Sequence, residues 1–247
     1  MQAFADNGFR APLFNAFDHS RSITVCAVDL MGCVRYANDL FREHVQRYYE
    51  WPGGDHTFTV DHLAMGDTAH LRERVDILTR VLDAKGQPVR CLELSGGRAI
   101  EHTCVAMTLP DDPRTMVCVV ASARAAFDAP GGCCPEECEW LMVPTDPGVL
   151  GDLTHAELET LRMIAKNCST EDIADHLSRT KKAIERRRMS IRRKLGLDDR
   201  MALTRLSMET GLGHLPESRL SEFVRCCRTR QRHLRRLRWE SPELAHA

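Results

Sequence analysis

Ser169–Leu197 reads STEDIADHLSRTKKAIERRRMSIRRKLGL, and the fold of the C-terminal half turns on this stretch. Ser169 precedes the apolar positions Ile173, Ala174 and Leu177, whose spacing suits one short helix. A break follows at Ser178-Arg179, and Thr180 is placed to cap a second helix through its hydroxyl. On that helix Ile184, Ile191 and Leu195 form one buried stripe. At ~100° per residue, Lys182, Arg186, Met189 and Arg193 fall on the opposite side, flanked by Glu185 and Ser190. From Arg179 to Lys194 there are nine Lys or Arg and one acid, Glu185. A short helix, a tight turn and a helix apolar inside and cationic outside predict a helix-turn-helix whose second helix suits the major groove.

A solvated face is the commoner fate of a charge run. Here the cations share a helix with a clean apolar stripe, and capping residues stand at the right intervals. Upstream, Thr154 with Glu157 forms a capping box opening a helix through Leu158, Leu161, Ile164 and Ala165. Downstream, Gly196 ends the recognition helix, Asp199 caps a fourth and Gly211 ends that one. Four helices in about sixty residues make a compact all-α domain.

With these residues in view, Leu153 to Leu197 resembles the LuxR-type (GerE) DNA-binding domain of bacterial transcription regulators. The resemblance rests on the Glu157/Glu159 pair, the Ser169 cap, Ile173-Ala174 and Arg193-Lys194-Leu195-Gly196, and it continues to about Leu212. Several positions depart from the family pattern. Arg179 replaces an aliphatic residue, Lys181 a proline, Ala183 a Thr or Ser, Arg187 a His, and Asn167 a glycine. The resemblance implies duplex DNA as partner, and the stripe geometry distributes the contacts. Arg186 and Met189, with Glu185 at the edge, are expected at base edges. Lys182 and Arg193 are expected at phosphates, with Lys181 and Ser190 on the flanks.

Charge separates the 247 residues into two halves. Residues 151–247 hold 21 Lys and Arg against 14 Asp and Glu, while residues 1–150 hold 13 against 21. The basic half suits phosphate and the acidic half repels it. No apolar run approaches the ~18 residues of a membrane helix, and the N-terminus has no apolar core of signal-peptide length. A cytoplasmic protein without membrane contact is expected. The eleven cysteines are then expected as free thiols, with Cys26, Cys91, Cys104 and Cys118 packed as small hydrophobes.

Residues 1–21 read as an arm. From Ser22 the pattern is extended: Ile23–Val28, a turn at Asp29–Gly32, then Cys33–Ala37. Asn38 caps a helix from Asp39 to about Val45, and residues 47–66 are irregular. Leu71, Val75, Leu78 and Leu82 predict a second helix with that stripe inward. Three strands follow: Val89–Leu94, Ala99–Leu109 and Thr115–Ala123. The order of elements, with VDLMGCVRYAND at Val28–Asp39, resembles a PAS domain over residues 22–123. That resemblance implies an α+β fold, an antiparallel sheet with helices, used for sensing a small molecule or for forming a homodimer.

Residues 124–150, with Pro130-Gly131-Gly132, Pro135, Pro144 and Pro147-Gly148, read as a linker. Its Cys133, Cys134 and Cys138 lack a fourth ligand for structural zinc and are read as loop thiols, a redox switch being the functional alternative. The DNA-binding domain is set at 151–213. In the tail, 214–247, Leu220, Phe223, Val224, Cys227 and Leu234 predict an amphipathic helix crowded with arginine. It could pack on the DNA-binding domain, pair with a second subunit or touch phosphates.

Haem on His62, His70 or His102 is not expected, nor any other cofactor or metal. No G-x-S-x-G, phosphate loop or H-E-x-x-H occurs, so no enzyme is expected. The reading is a transcription regulator. Its rivals are a sigma-factor-like protein acting through RNA polymerase and a redox or metal-responsive protein.

Overall fold

A computed structural model describes residues 17–48, 68–109, 112–123 and 139–240. The strands are β1 (Ile23–Asp29), β2 (Val34–Ala37), β3 (Val89–Ser95), β4 (Arg98–Leu109), β5 (Asp112–Ala123) and the two-residue β6 (Glu139–Trp140). The helices are α1 (Asp39–Tyr48), α2 (Thr68–Asp83), α3 (His155–Ala165), α4 (Thr170–His176), α5 (Lys181–Leu195), α6 (Arg200–Glu209) and α7 (Leu220–Glu240). Sheet order is β2-β1-β5-β4-β3, with β6 next in line. The described residues divide into two compact units. The first takes those up to Leu92 and Ile100–Ala123, the second Glu93–Ala99 and those from β6 to Glu240.

In the first unit β1 runs antiparallel to β2 and β5, and β4 antiparallel to β5. The expected strand boundaries hold to within about three residues. Val25, Ala27, Tyr36 and Met116 form a buried cluster, with Phe17, Ile23, Met107, Cys118 and Val120 packed against it. The polar residues of the first hairpin are structural. Asp29 Oδ1 accepts from the backbone N–H of Met31 and Cys33, both at 2.9 Å, closing the turn, and Arg35 Nε donates to Oδ2 at 2.6 Å. Asn38 is fully buried. Its Oδ1 accepts from Val25 and Phe41 N–H, and its Nδ2 donates to the carbonyls of Phe17 and Ile23. One amide thus caps α1 and ties it to β1.

The stripe expected to bury α2 is corrected. Val75 and Leu82 are exposed, and the buried positions are His70, Ile77 and Val81. The inward face is rotated, and it carries the polar pair in which Arg74 Nε donates to His70 Nε2 at 3.1 Å. Apolar spacing alone could not anticipate a polar contact on the packed side. Cys26, Cys91 and Cys104 are buried free thiols and Cys118 is half-buried. Burial pushes the Cys118 thiol up to about 11, so it packs as a neutral group. His62, the cysteines at 133, 134 and 138 and most of the 1–21 arm lie outside the described residues.

The second unit is larger than the expected four-helix domain, because residues read as linker and tail supply its core. Trp140, Leu141, Met142, Val143 and Leu150 are buried, as are Leu220, Phe223, Val224 and Cys227 of α7. Trp140 and Phe223 meet edge to face, centroids 5.9 Å apart. The β3–β4 turn belongs to this unit as well. Glu93 accepts from the Thr145 N–H at 2.9 Å and from its hydroxyl, and Gly97 N–H donates to the Asp146 carbonyl at 3.4 Å. Arg98 pairs with Glu209 of α6 at 3.6 Å. Two fully or nearly buried arginines tie loops to helices: Arg230 Nε donates to Thr145 O at 3.0 Å, and Arg162 Nε to Leu215 O at 2.8 Å. Pro144, Pro147 and Gly148 set the backbone path of residues 139–150 and hide that several of its side chains are core.

Candidate nucleic-acid interface

Each helix of the candidate site starts where a side chain satisfies its first free N–H groups. Thr154 caps α3 and makes a reciprocal box with Glu157. Ser169 caps α4 and makes a second box with Asp172. Thr180 caps α5 through Ala183 N–H, and Asp199 caps α6 through Ala202 N–H. Such a cap contributes about 1 kcal/mol. The turn between α4 and α5 is closed by Ser178 in the left-handed region (φ 50°) and by Arg179 N–H on the Ala174 carbonyl at 2.8 Å. Asn167 takes the left-handed conformation at the end of α3 (φ 60°), and Gly196 does so at the end of α5 (φ 64°). Arg179 is exposed, so the absence of an aliphatic side chain there leaves the turn intact.

Ile184 and Ile191 are fully buried, with Ile173 and Ala174 of α4 and Leu158 and Leu161 of α3 likewise enclosed. This anchors α5 on one side. Opposite, Lys182, Glu185, Arg186 and Arg193 are exposed, and Met189 is 58 % exposed. These five, chosen from spacing, lie together on one outward strip. Among the described residues, Lys182, Arg186 and Arg193 direct their side chains at no protein partner.

The two flanking residues are placed differently. Lys181 is exposed but pairs with Glu171 at 2.7 Å, joining the starts of α5 and α4. Ser190 is turned inward, and its hydroxyl donates to Glu157 Oε1 at 2.8 Å. Lys194 Nζ reaches Glu157 Oε2 at 2.7 Å, and the Thr154 N–H and hydroxyl donate to the same oxygen at 2.8 and 2.9 Å. Burial alone would push the Glu157 carboxyl up. The bonds from Lys194, Thr154 and Ser190 outweigh it and hold the group at about 2. Sequence signalled Glu157 as a cap; its second role, locking the rotation of α5 against α3, has only a non-local signal.

The nine cations near α5 therefore divide. Arg187 donates to the Ala156 carbonyl at 3.2 Å and to Thr160 Oγ1 at 3.1 Å, filling the position where Arg replaces the family's usual His. Arg192 bonds the Asp198 carbonyl, and Arg188 is half-buried, its charge opposed first by desolvation and then by Arg200. Inward arginines and Lys194 secure the helix; the outward ones stay available to a polyanion.

Residues 152–207 match the family model described as "Bacterial regulatory proteins, luxR family". This segment is a LuxR-type DNA-binding domain. The LuxR-type domain ends before the 3-10 turns and α7 that complete the second unit. No curated protein matches the chain. Among solved structures, the chain is similar to the Vibrio cholerae VqmA–ligand–DNA complex at 15 % identity, covering 87 % of this chain and 93 % of that one, with a TM-score of 0.42. It is also similar to a phage VqmA bound to DPO, at 17 % identity, 85 % and 93 % coverage and a TM-score of 0.34.

Proposed function

We propose that the chain is a transcription regulator that inserts α5 into the major groove of duplex DNA. The observation that carries this is the outward strip of Lys182, Arg186, Met189 and Arg193, directly opposite the fully buried Ile184 and Ile191 within the LuxR-type domain. Arg186 and Met189, with Glu185 beside them, are assigned to base edges, and Lys182 and Arg193 to phosphates near either end. Lys181 is assigned a phosphate only if it releases Glu171, and Ser190 serves α5 through Glu157. We further assign the first unit to a PAS-like role, sensing a small molecule or forming a homodimer. Its antiparallel run β2-β1-β5-β4, with a helix anchored by Asn38, supports that reading.

The test is a pair of substitutions read on specific and random duplexes. Arg186→Ala is expected to cost ~1–3 kcal/mol of discrimination. Lys182→Ala is expected to weaken both duplexes equally and to lower the salt slope by about one. If both variants stay folded with affinity and specificity unchanged, α5 does not enter the groove.

A further inference from the structure

Helix α7 lies beyond the LuxR-type segment and carries seven arginines against two glutamates, Glu222 and Glu240. Its buried stripe is Leu220, Phe223, Val224, Cys227 and Arg230. At ~100° per residue, Arg225, Arg228, Arg232, Arg235 and Arg236 gather on the opposite side, and all five are exposed. An ordinary solvated helix face alternates signs at three- and four-residue spacing. Here those spacings bring like charges together: Arg225 with Arg228, Arg228 with Arg232, Arg232 with Arg235 and Arg236. Among the described residues Arg225 and Arg228 make no ion pair, Glu222 being paired with Arg219 at 3.8 Å, and the Arg232 guanidinium bonds only its own helix, at the Arg228 carbonyl and the Thr229 hydroxyl. Arg225, Arg228 and Arg232 thus present like charges together, a pattern complementary to a polyanion.

The stripe also adjoins the recognition helix. Arg235 pairs with the Asp152 carboxylate at 2.6 Å, and Lys194 of α5 donates to the Asp152 carbonyl at 3.3 Å. Gly151 lies against the side chain of Gln231, so closely that any Cβ there would collide with it. At the other end of α7, Ser221 Oγ lies 3.1 Å from His155 Nε2, at the first residue of α3. Ser221, Arg228 and Arg235 fall on one edge of α7, and that edge runs past residues 152–155 and the end of α5.

We propose that the arginine face of α7 is a second phosphate-binding surface, holding duplex DNA beside the groove that α5 occupies. The proposal rests on the DNA-binding reading above and extends its footprint. From Arg225 to Arg236 the helix rises ~17 Å, which matches about five phosphates along one strand. Its contacts carry no base information, so it raises affinity for every sequence alike.

The experiment uses the full chain, random-sequence duplexes of about 16 and about 40 base pairs, and a salt series. The variants are Arg225→Gln/Arg228→Gln/Arg232→Gln, the same three positions as Lys, and Lys182→Ala. On the long duplex the Gln triple variant is expected to lower the slope of log affinity against log salt by roughly 3 (~0.9 per contact), and the Lys triple variant to restore it. On the short duplex the Gln effect shrinks. An unchanged slope in the Gln variant, with Lys182→Ala still lowering it, would overturn the α7 surface and leave α5 in the groove. An acidic protein partner would then be the remaining occupant of that face. If the unmodified chain shows no salt-dependent binding at all, the DNA-binding reading itself fails.

Discussion

Removing the Glu157 charge is the perturbation whose consequence follows most directly from the geometry. The carboxylate accepts four hydrogen bonds, two from Thr154, one from Ser190 and one from Lys194, and its side chain is only 7 % exposed. Held at about 2 against 4.5 for the free group, it favours the folded state by about 3 kcal/mol at neutral pH. Lys194 is about one-third exposed, which screens part of the pair, so this figure is an upper value. The folded value lies below the unfolded one. The stabilisation is therefore complete above about 4.5 and drains away as pH falls from there toward 2. Glu157→Gln keeps the shape, removes the charge and leaves the Lys194 ammonium without its counterion. Native-state hydrogen exchange of α3 and α5 amides in the full chain reads the effect locally. A loss of about 3 kcal/mol predicts roughly a hundredfold drop in protection near pH 7, with little difference from the unmodified chain near pH 2.5. Equal protection at pH 7, or an equally large deficit at both pH values, would refute the role given to the carboxylate.

Ile184→Ala should cost ~2–5 kcal/mol in chemical unfolding followed by Trp fluorescence, because the site is fully buried; Ile184→Asp should leave the LuxR-type domain unfolded. Gly148→Ala should destabilise the second unit in a thermal melt. Its φ is +54°, and a Cβ would sit 2.8 Å from Gly97 N and 2.9 Å from Gly96 C, backbone atoms that cannot swing away. Ser169→Ala should cost about 1 kcal/mol and increase exchange in the first turn of α4, where the hydroxyl accepts from Asp172 N–H at 3.1 Å. Replacing Cys133, Cys134 and Cys138 with Ser should leave duplex affinity unchanged under reducing and mildly oxidising conditions, checked by titration of both proteins.

The LuxR-type domain was legible residue by residue because its signals are local. Caps at Thr154, Ser169, Thr180 and Asp199 act within three residues of themselves. The Ile184–Ile191 stripe repeats within one helix, and the left-handed positions Asn167, Gly196 and Gly211 are set by what the backbone requires. The strands of the first unit were legible for the same reason, through period-two apolar runs and turn residues. What sequence could not assign was any property requiring a partner distant in the chain. Periodicity placed Val75 and Leu82 inward, whereas the tertiary structure turned α2 to bury His70, Ile77 and Val81. Composition made 124–150 a linker, yet within it Trp140 found Phe223 eighty-three residues on, and Thr145 found both Glu93 and Arg230. Ser190 looked outward by angle until the Glu157 carboxylate drew it in. Local sequence determined which segments are helices and strands and which faces are cationic, since those follow from backbone sterics and nearby hydrogen bonds. Only the tertiary structure decided which cations secure the helix and which stay exposed, because that depends on where the buried carboxylates and carbonyls come to rest.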